Sequence, residues 1–472
     1  MVFSSTLFLT VFFPIFLLLY ILAPTKAKNW TALLGSTIFY AWGAPLFVFV
    51  VFATMLADFW LVGQLAKSRN RKLFVAISVF INVGLLAYFK YSNFFIENVN
   101  GVLSRLSVEQ MEWTTVVLPI GISFFTFQKL SYTLDVYKGK HAALKDFSNY
   151  ALYIILFPQL IAGPIVRFNE IADQLIDRSA HENIDNRLLG FFRFCIGLAK
   201  KVLVANVVGE VADSSFSITG DELSFSWAWI GIVAYTFQIY FDFSGYSDMA
   251  IGLGRMMGFV FPENFNNPYT SRSITEFWQR WHMTLSRWMK DYLYIPLGGN
   301  RKGVYRTYFN LWAVFLISGL WHGASWTFVI WGAYHGFFLV MERLFLGRFY
   351  TTIGRLPSTL ITFLLAMFGW VIFRADSTTH ALSYFSALFS FSDGWKPPTL
   401  SDEFHVMMVI AAFFAFAAII PGVEKIQNKL FLNAEVSIIN SAAKTILAIL
   451  LFVFCLSMIV SSGFNPFIYF RF

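Results

Sequence analysis

Between Gln238 and His335 the chain concentrates titratable, hydroxyl-bearing and aromatic side chains in three clusters. The last of them, Ser318-Gly-Leu-Trp321-His322-Gly323-Ala-Ser325-Trp326, sets one imidazole between two indoles in an apolar stretch. His322 stands about 15 residues beyond a basic turn, roughly 20 Å at helical rise, which places it deep in a bilayer if that stretch spans one. A charged imidazole is costly in hydrocarbon, so the ring is expected to be neutral. In a dry cavity a neutral imidazole can take a proton from a hydroxyl. Gly323 would let backbone or substrate come close. A structural role for a lone core histidine stands beside this reading, and His335, one span later, is read as structural.

The middle cluster runs from Asn264-Phe-Asn266-Asn267-Pro268-Tyr269 to Arg306. Projected on a helix, Trp278, Trp281, Leu285 and Trp288 share a face, with Arg280, Thr284, Arg287 and Asp291 opposite. That pattern predicts a helix lying in the cytoplasmic interface. His282 falls at the edge of the aromatic face with Ser286 one turn away, as a proton carrier or as a satisfied interfacial histidine. The segment closes on the basic turn Gly298-Gly-Asn-Arg301-Lys302-Gly303. Such a turn could approach phosphate, although any cytoplasmic turn would look alike.

The first cluster is Gln238-Ile-Tyr240-Phe-Asp242-Phe-Ser244-Gly-Tyr246-Ser247-Asp248. Its polar residues are expected to break a spanning helix. Ser247 or Asp248 could cap the half-helix that follows. Capping accounts for Asp248 better than for Asp242, which is kept with Tyr240 and Asn267 as a candidate substrate contact. Acylating a hydroxyl from an activated thioester needs chiefly a base for the attacking alcohol, aided by a donor for the oxyanion. Neither a Gly-x-Ser-x-Gly elbow nor a candidate nucleophilic cysteine is evident. Direct transfer with His322 as base therefore fits better than an acyl-enzyme.

The elements that must hold these groups are membrane helices. Hydrophobic residues make up 57% of the 472 positions and charged residues 13%, about half the usual share of a soluble domain. Mean hydropathy is +0.62. Apolar runs approach the ~20 residues that cross a bilayer as a helix. This composition excludes a disordered chain and argues against a soluble enzyme. Cys195 and Cys455 lie within apolar runs, so no disulfide framework is expected. The net charge of +8 reads as cytoplasmic loops and not as nucleic-acid binding.

Spans are predicted at 5–22, 30–41, 45–66, 73–89, 115–136, 307–320, 325–345, 357–374, 405–421 and 444–463, with further crossings between residues 136 and 262. The expected architecture is an all-α, multi-pass membrane protein of about 11–12 crossings. The basic residues Lys26, Lys28, Lys67, Arg69, Arg71 and Lys72 place their loops in the cytoplasm and the N-terminus outside. The acidic loop 213–225, with Asp213, Asp221 and Glu222, reads as external. The basic 262–306 reads as internal. Alternation then leaves two apolar segments over, 150–165 and 247–260, which are expected to be re-entrant half-helices around a cavity. No cleavable leader, repeat or linker is evident, so residues 1–472 are read as a single membrane domain. Phenylalanine occurs 57 times, and most of that surplus is expected to face lipid.

These motifs also carry a resemblance. Phe39-Tyr-Ala-Trp-Gly, Leu118-Pro-Ile-Gly-Ile-Ser-Phe-Phe-Thr-Phe-Gln, Phe157-Pro-Gln-Leu-Ile-Ala-Gly-Pro164, Tyr240–Asp248, Asn264–Tyr269, Phe277–Ser286 and Trp321-His-Gly323 together resemble the membrane-bound O-acyltransferase family, in its bacterial alginate O-acetyltransferase branch. The resemblance spans most of the chain and thins after residue 375. It implies a catalytic His322, a second characteristic histidine at His282, and a central funnel or tunnel. It further implies an acetyl-thioester donor, acetyl-CoA or an acyl carrier, on the cytoplasmic side, and no bound cofactor or metal. By resemblance, the acetyl group passes through the bacterial inner membrane to periplasmic esterase-like partners and an exopolysaccharide. Trp281, Ser286, Trp321, Trp326, Asp242, Tyr240 and Asn267 are the candidate tunnel or substrate residues. Two alternatives stay open: a D-alanyl transferase of the same family fed by a carrier-protein thioester, and a polysaccharide-precursor transporter, since broken helices suit both.

Overall fold

The computed structural model describes residues 1–218, 222–391, 394–431 and 438–462. Asp221 and residue 463 lie outside them. Every regular element among the described residues is helical. Six helices are long and apolar enough to cross a membrane: Phe47–Lys67, Arg71–Arg105, Trp326–Ile353, Arg355–Arg374, Asp402–Ile419 and Ile439–Ser462. The chain is a multi-pass membrane protein. It divides into two compact units, residues 1–183 with 257–262, and residues 184–256 with 263–472.

The first unit holds α1 (Phe13–Leu22), α2 (Lys28–Gly43), α3 (Phe47–Lys67), α4 (Arg71–Arg105), α5 (Ile122–Tyr137), α6 (Phe147–Ile155), α7 (Phe157–Leu160) and α8 (Phe168–Ile176). The expected break within 150–165 is present: α6 ends at Ile155, and the short α7 restarts after Leu156. All of this stretch is buried. Backbone freed by such a break must find partners inside the protein. Ser36 Oγ accepts the Phe157 N–H at 3.1 Å, and the Gln159 side-chain amide donates to the Tyr153 carbonyl.

Two expectations change in this unit. The fourth helix runs on through Lys90 to Arg105, because no proline interrupts 72–105. At 1.5 Å per residue it is roughly 50 Å long, well beyond the ~30 Å hydrocarbon core. Asn93 and Asn100 bond the returning chain to it at Trp113, Val116 and Met111. Much of the phenylalanine is also core and not lipid-facing bulk. Phe3, Phe8, Phe39 and Phe157 are buried, with ring centroids 5.1–6.2 Å apart, and Phe12 and Phe16 close the cluster.

The second unit holds α9 (Ile184–Ala199), α10 (Asn206–Ser217), α11 (Phe225–Met256), α12 (Ile274–Arg280), α13 (Met283–Met289), α14 (Val304–His322), α15 (Trp326–Met341), α16 (Gly347–Ile353), α17 (Arg355–Arg374), α18 (Thr378–Leu388), α19 (Asp402–Phe416), α20 (Val423–Phe431) and α21 (Ile438–Ser462). A π-helical segment, Lys200–Ala205, joins α9 to α10 without a break.

The expected interruption near Asp242–Asp248 does not occur: α11 is one 32-residue helix, and 247–256 is its last part. The glycines there are packing notches, not breakers. A Cβ on Gly190 would stand 2.7 Å from the Gly252 carbonyl, and one on Gly245 would stand 2.7 Å from the Gly197 carbonyl. Backbones that approach this closely exclude side chains from the seam. The carboxylates are neutralised and cap nothing. Asp248 pairs with Arg193 at 2.8 Å and Lys200 at 2.6 Å, and Arg193 reaches Glu263 at 2.5 Å. Asp242 meets Lys201 at 2.7 Å with both side chains 2% exposed. The π turn lets the consecutive residues Lys200 and Lys201 each reach an acid of α11.

Candidate active site

The segment expected to be one interfacial helix is broken at its histidine. α12 stops at Arg280, α13 starts at Met283, and His282 between them is left-handed (φ 44°, ψ 52°). A non-glycine residue held there carries backbone strain, which the surroundings must over-determine. Two backbone bonds do so: Asn266 N–H to the Arg280 carbonyl and Met283 N–H to the Asn264 carbonyl, both 2.9 Å. The start of α12 is fixed as well. Ser273 Oγ accepts the Glu276 N–H at 3.0 Å, and the Glu342 carboxylate accepts from Ile274 N–H and from both the N–H and hydroxyl of Thr275. The break also buries Thr284, which the unbroken projection had placed on the polar face.

Asn264 sets the protonation pattern of His282. Its Oδ1 accepts the Thr284 N–H at 3.3 Å and the Thr284 hydroxyl at 2.8 Å, while its Nδ2 donates to Ser247 Oγ at 2.9 Å. A backbone N–H can only donate, so the end of Asn264 facing Thr284 is the oxygen. That same oxygen lies 3.1 Å from His282 Nδ1, which must therefore carry a proton. The tautomer inferred is Nδ1–H, which leaves the lone pair on Nε2. Full burial pushes the His282 pKa well below that of free imidazole, so the ring is neutral near pH 7.

His322 is the last residue of α14 and is 7% exposed. Trp331 and Phe373 meet its ring nearly perpendicularly, at centroid distances of 5.1 and 5.4 Å. Trp321 packs against both histidines, 4.9 Å from His322 and 6.1 Å from His282. The two imidazoles can be no farther apart than those two distances added. Gly323 is required by close approach, since a Cβ there would overlap the Phe328 ring. Phe328 in turn packs on Phe373 at 5.1 Å, so the glycine holds one wall of the His322 site in place.

The other candidates divide. Trp281 joins the same aromatic body, 4.8 Å from Trp370 and 6.2 Å from Tyr240. Phe243, one turn along α11 from Tyr240, meets His282 at 4.8 Å. Ser286 sits one turn beyond His282 and donates its backbone N–H to the His282 carbonyl. Asp242 is turned to α9 and its π segment. Asn267 is left-handed and binds Gln427 of α20 at 2.9 Å. Trp326 opens α15 with 54% of its surface exposed, and Trp331 is the second indole on the His322 ring. Sequence reasoning gave no role to Trp331, Trp370, Phe373, Thr284 or Lys201. The Ser273-x-x-Glu276 pattern was the one local signal for where α12 begins.

A membrane protein with two buried histidines packed on one indole has the parts for proton transfer at an acyl-acceptor hydroxyl. The description of the membrane-bound O-acyltransferase family matches residues 5–374. The chain belongs to that family, and it is an O-acyltransferase; the transporter reading falls away. Among its relatives is a probable alginate O-acetylase AlgI of Azotobacter vinelandii, 39% identical with all of both chains covered. A peptidoglycan O-acetyltransferase of Helicobacter pylori is 38% identical over 81% of this chain and 78% of its own length. A teichoic acid D-alanyltransferase of Bacillus subtilis is 27% identical over 55% of this chain and 70% of its own.

Proposed function

We propose that the protein O-acetylates a cell-envelope or extracellular polysaccharide from the bacterial inner membrane, with acetyl-CoA as donor and His322 as general base. The packing of His322 and His282 on the single Trp321 ring, in a chain of this family, carries the reading. The names of the alginate and peptidoglycan relatives support acetyl over D-alanyl transfer, because they match at higher identity and over more of the chain.

In this mechanism the acceptor hydroxyl loses its proton to the His322 imidazole as its oxygen attacks the thioester carbonyl. The tetrahedral intermediate collapses with cleavage of the carbon–sulfur bond. The imidazolium returns the proton to the departing thiolate, leaving an acetyl ester and free CoA. His282, fixed as the Nδ1–H tautomer, packs beside Trp321. It orients a hydroxyl or passes its proton on. Tyr240, Trp281, Trp321 and Phe243 form the aromatic wall, which favours the neutral imidazole and excludes water. The acceptor is a periplasmic esterase-like partner or the polymer itself. The cytoplasmic stretch 270–306, with seven basic and two acidic residues, suits an anionic donor.

The test is acetylation of the polymer in cells carrying His322→Ala at wild-type membrane abundance. Loss of acetyl ester is expected. Undiminished acetylation would overturn His322 as the base.

A further inference from the structure

His335 lies outside the mechanism above, yet it is placed to govern it. The ring is fully buried, and neither nitrogen has a hydrogen-bond partner among the described residues. Packing alone locates it. Its ring stands T-shaped to Trp331 at 5.0 Å (75°) and to Trp278 at 5.0 Å (89°). On the third side a Cβ on Gly369 of α17 would stand 2.9 Å from His335 Nε2, so only glycine admits the ring. Its two indole neighbours belong to the two arms of the site. Trp331 abuts His322 at 5.1 Å, and Trp278 is on α12, four residues before His282.

A buried imidazole with unmatched nitrogens is costlier than an apolar ring of similar size. Bulk packing would be served as well by phenylalanine. What imidazole adds is a polar N–H on its edge, and a T-shaped contact is the geometry in which such an edge can meet an indole π-face. We propose that His335 is a positioning residue that fixes Trp331 against Trp278 and so holds the His322 and His282 arms in register for acyl transfer. This rests on the acyl-transfer reading.

The experiment compares purified wild type, His335→Phe, His335→Leu, Trp331→Phe and the double variant His335→Phe/Trp331→Phe, with labelled acetyl-CoA and acceptor. His322→Ala runs in parallel. The expected result is a fall in kcat of about tenfold for His335→Phe, with KM for acetyl-CoA unchanged and thermal stability equal to or above wild type. The double variant should be no slower than the slower single, since both act through one contact. A second readout needs no turnover: the rate at which diethyl pyrocarbonate modifies His322, followed by peptide mass spectrometry, should change several-fold in His335→Phe and Trp331→Phe. Wild-type kcat and modification rate in His335→Phe would overturn the proposal, as would multiplying losses in the double variant. Loss of activity only in step with loss of folding, in both His335 variants, would also overturn it. An active His322→Ala would instead remove the base assignment and leave the modification rates to decide the role of His335.

Discussion

Which nitrogen of an imidazole can take a proton is set by the hydrogen bond that the other one makes, and at His282 that bond goes to Asn264. The asparagine oxygen is oriented by the Thr284 N–H and accepts from Nδ1, as orienting partners of histidines elsewhere do. Asn264→Leu should therefore slow acetyl transfer about 10–100-fold, the usual cost of losing such a partner. Asn264→Asp, which keeps an oxygen toward Nδ1, should retain more activity; initial rates of the two variants check this. At Gly323 even Gly323→Ala should displace Phe328 and loosen the Phe373 wall, with lower activity and a lower unfolding temperature by light scattering. The buried, aromatic-walled setting of His322 was legible in Trp321-His322-Gly323. The Asn264–His282–Thr284 linkage was not. A helical projection assumes an unbroken helix, and nothing in Arg280-Trp-His-Met announces a left-handed residue.

At the scale of elements, the long-range pairs decide what the local sequence leaves ambiguous. Gly245, Ser247, Asp248 and Gly252 read locally as helix-breaking chemistry. In three dimensions α9 supplies glycines to receive the glycines, and α9 with the π segment after it supplies bases to receive the acids, so α11 continues. Lys201→Met alone should destabilise the protein by about 3–5 kcal/mol, because it removes the cation 2.7 Å from a buried carboxylate. Adding Asp242→Leu should recover most of that loss. Chemical unfolding in detergent reads both. Gly197→Val should cost more than either, since the α11 backbone cannot yield, and should appear as low membrane abundance. The 150–165 break, in contrast, was legible, because Pro158 and Gly163-Pro164 leave backbone groups that only a buried interior satisfies.

For the whole molecule, the membrane class and the family motifs were available in the composition and order of residues. The length of α4 was not, because the mixed charge of Lys90, Glu97 and Arg105 suits a helix as well as a loop. Orientation carries its own test in a protein whose native cysteines, Cys195 and Cys455, are both buried. In sealed right-side-out vesicles a membrane-impermeant maleimide should label Met111→Cys and leave Lys26→Cys unlabelled until the vesicles are opened. The reverse pattern would invert the proposed flow of acetyl groups.

The central claim joins both sides through one imidazole. Its most direct test is the transfer of label from acetyl-CoA to a polysaccharide or periplasmic acceptor by the purified protein, with His322→Ala beside it. Stable acetyl ester formed by the wild type, and lost in the correctly folded variant, is the predicted result; equal ester from both would contradict the account.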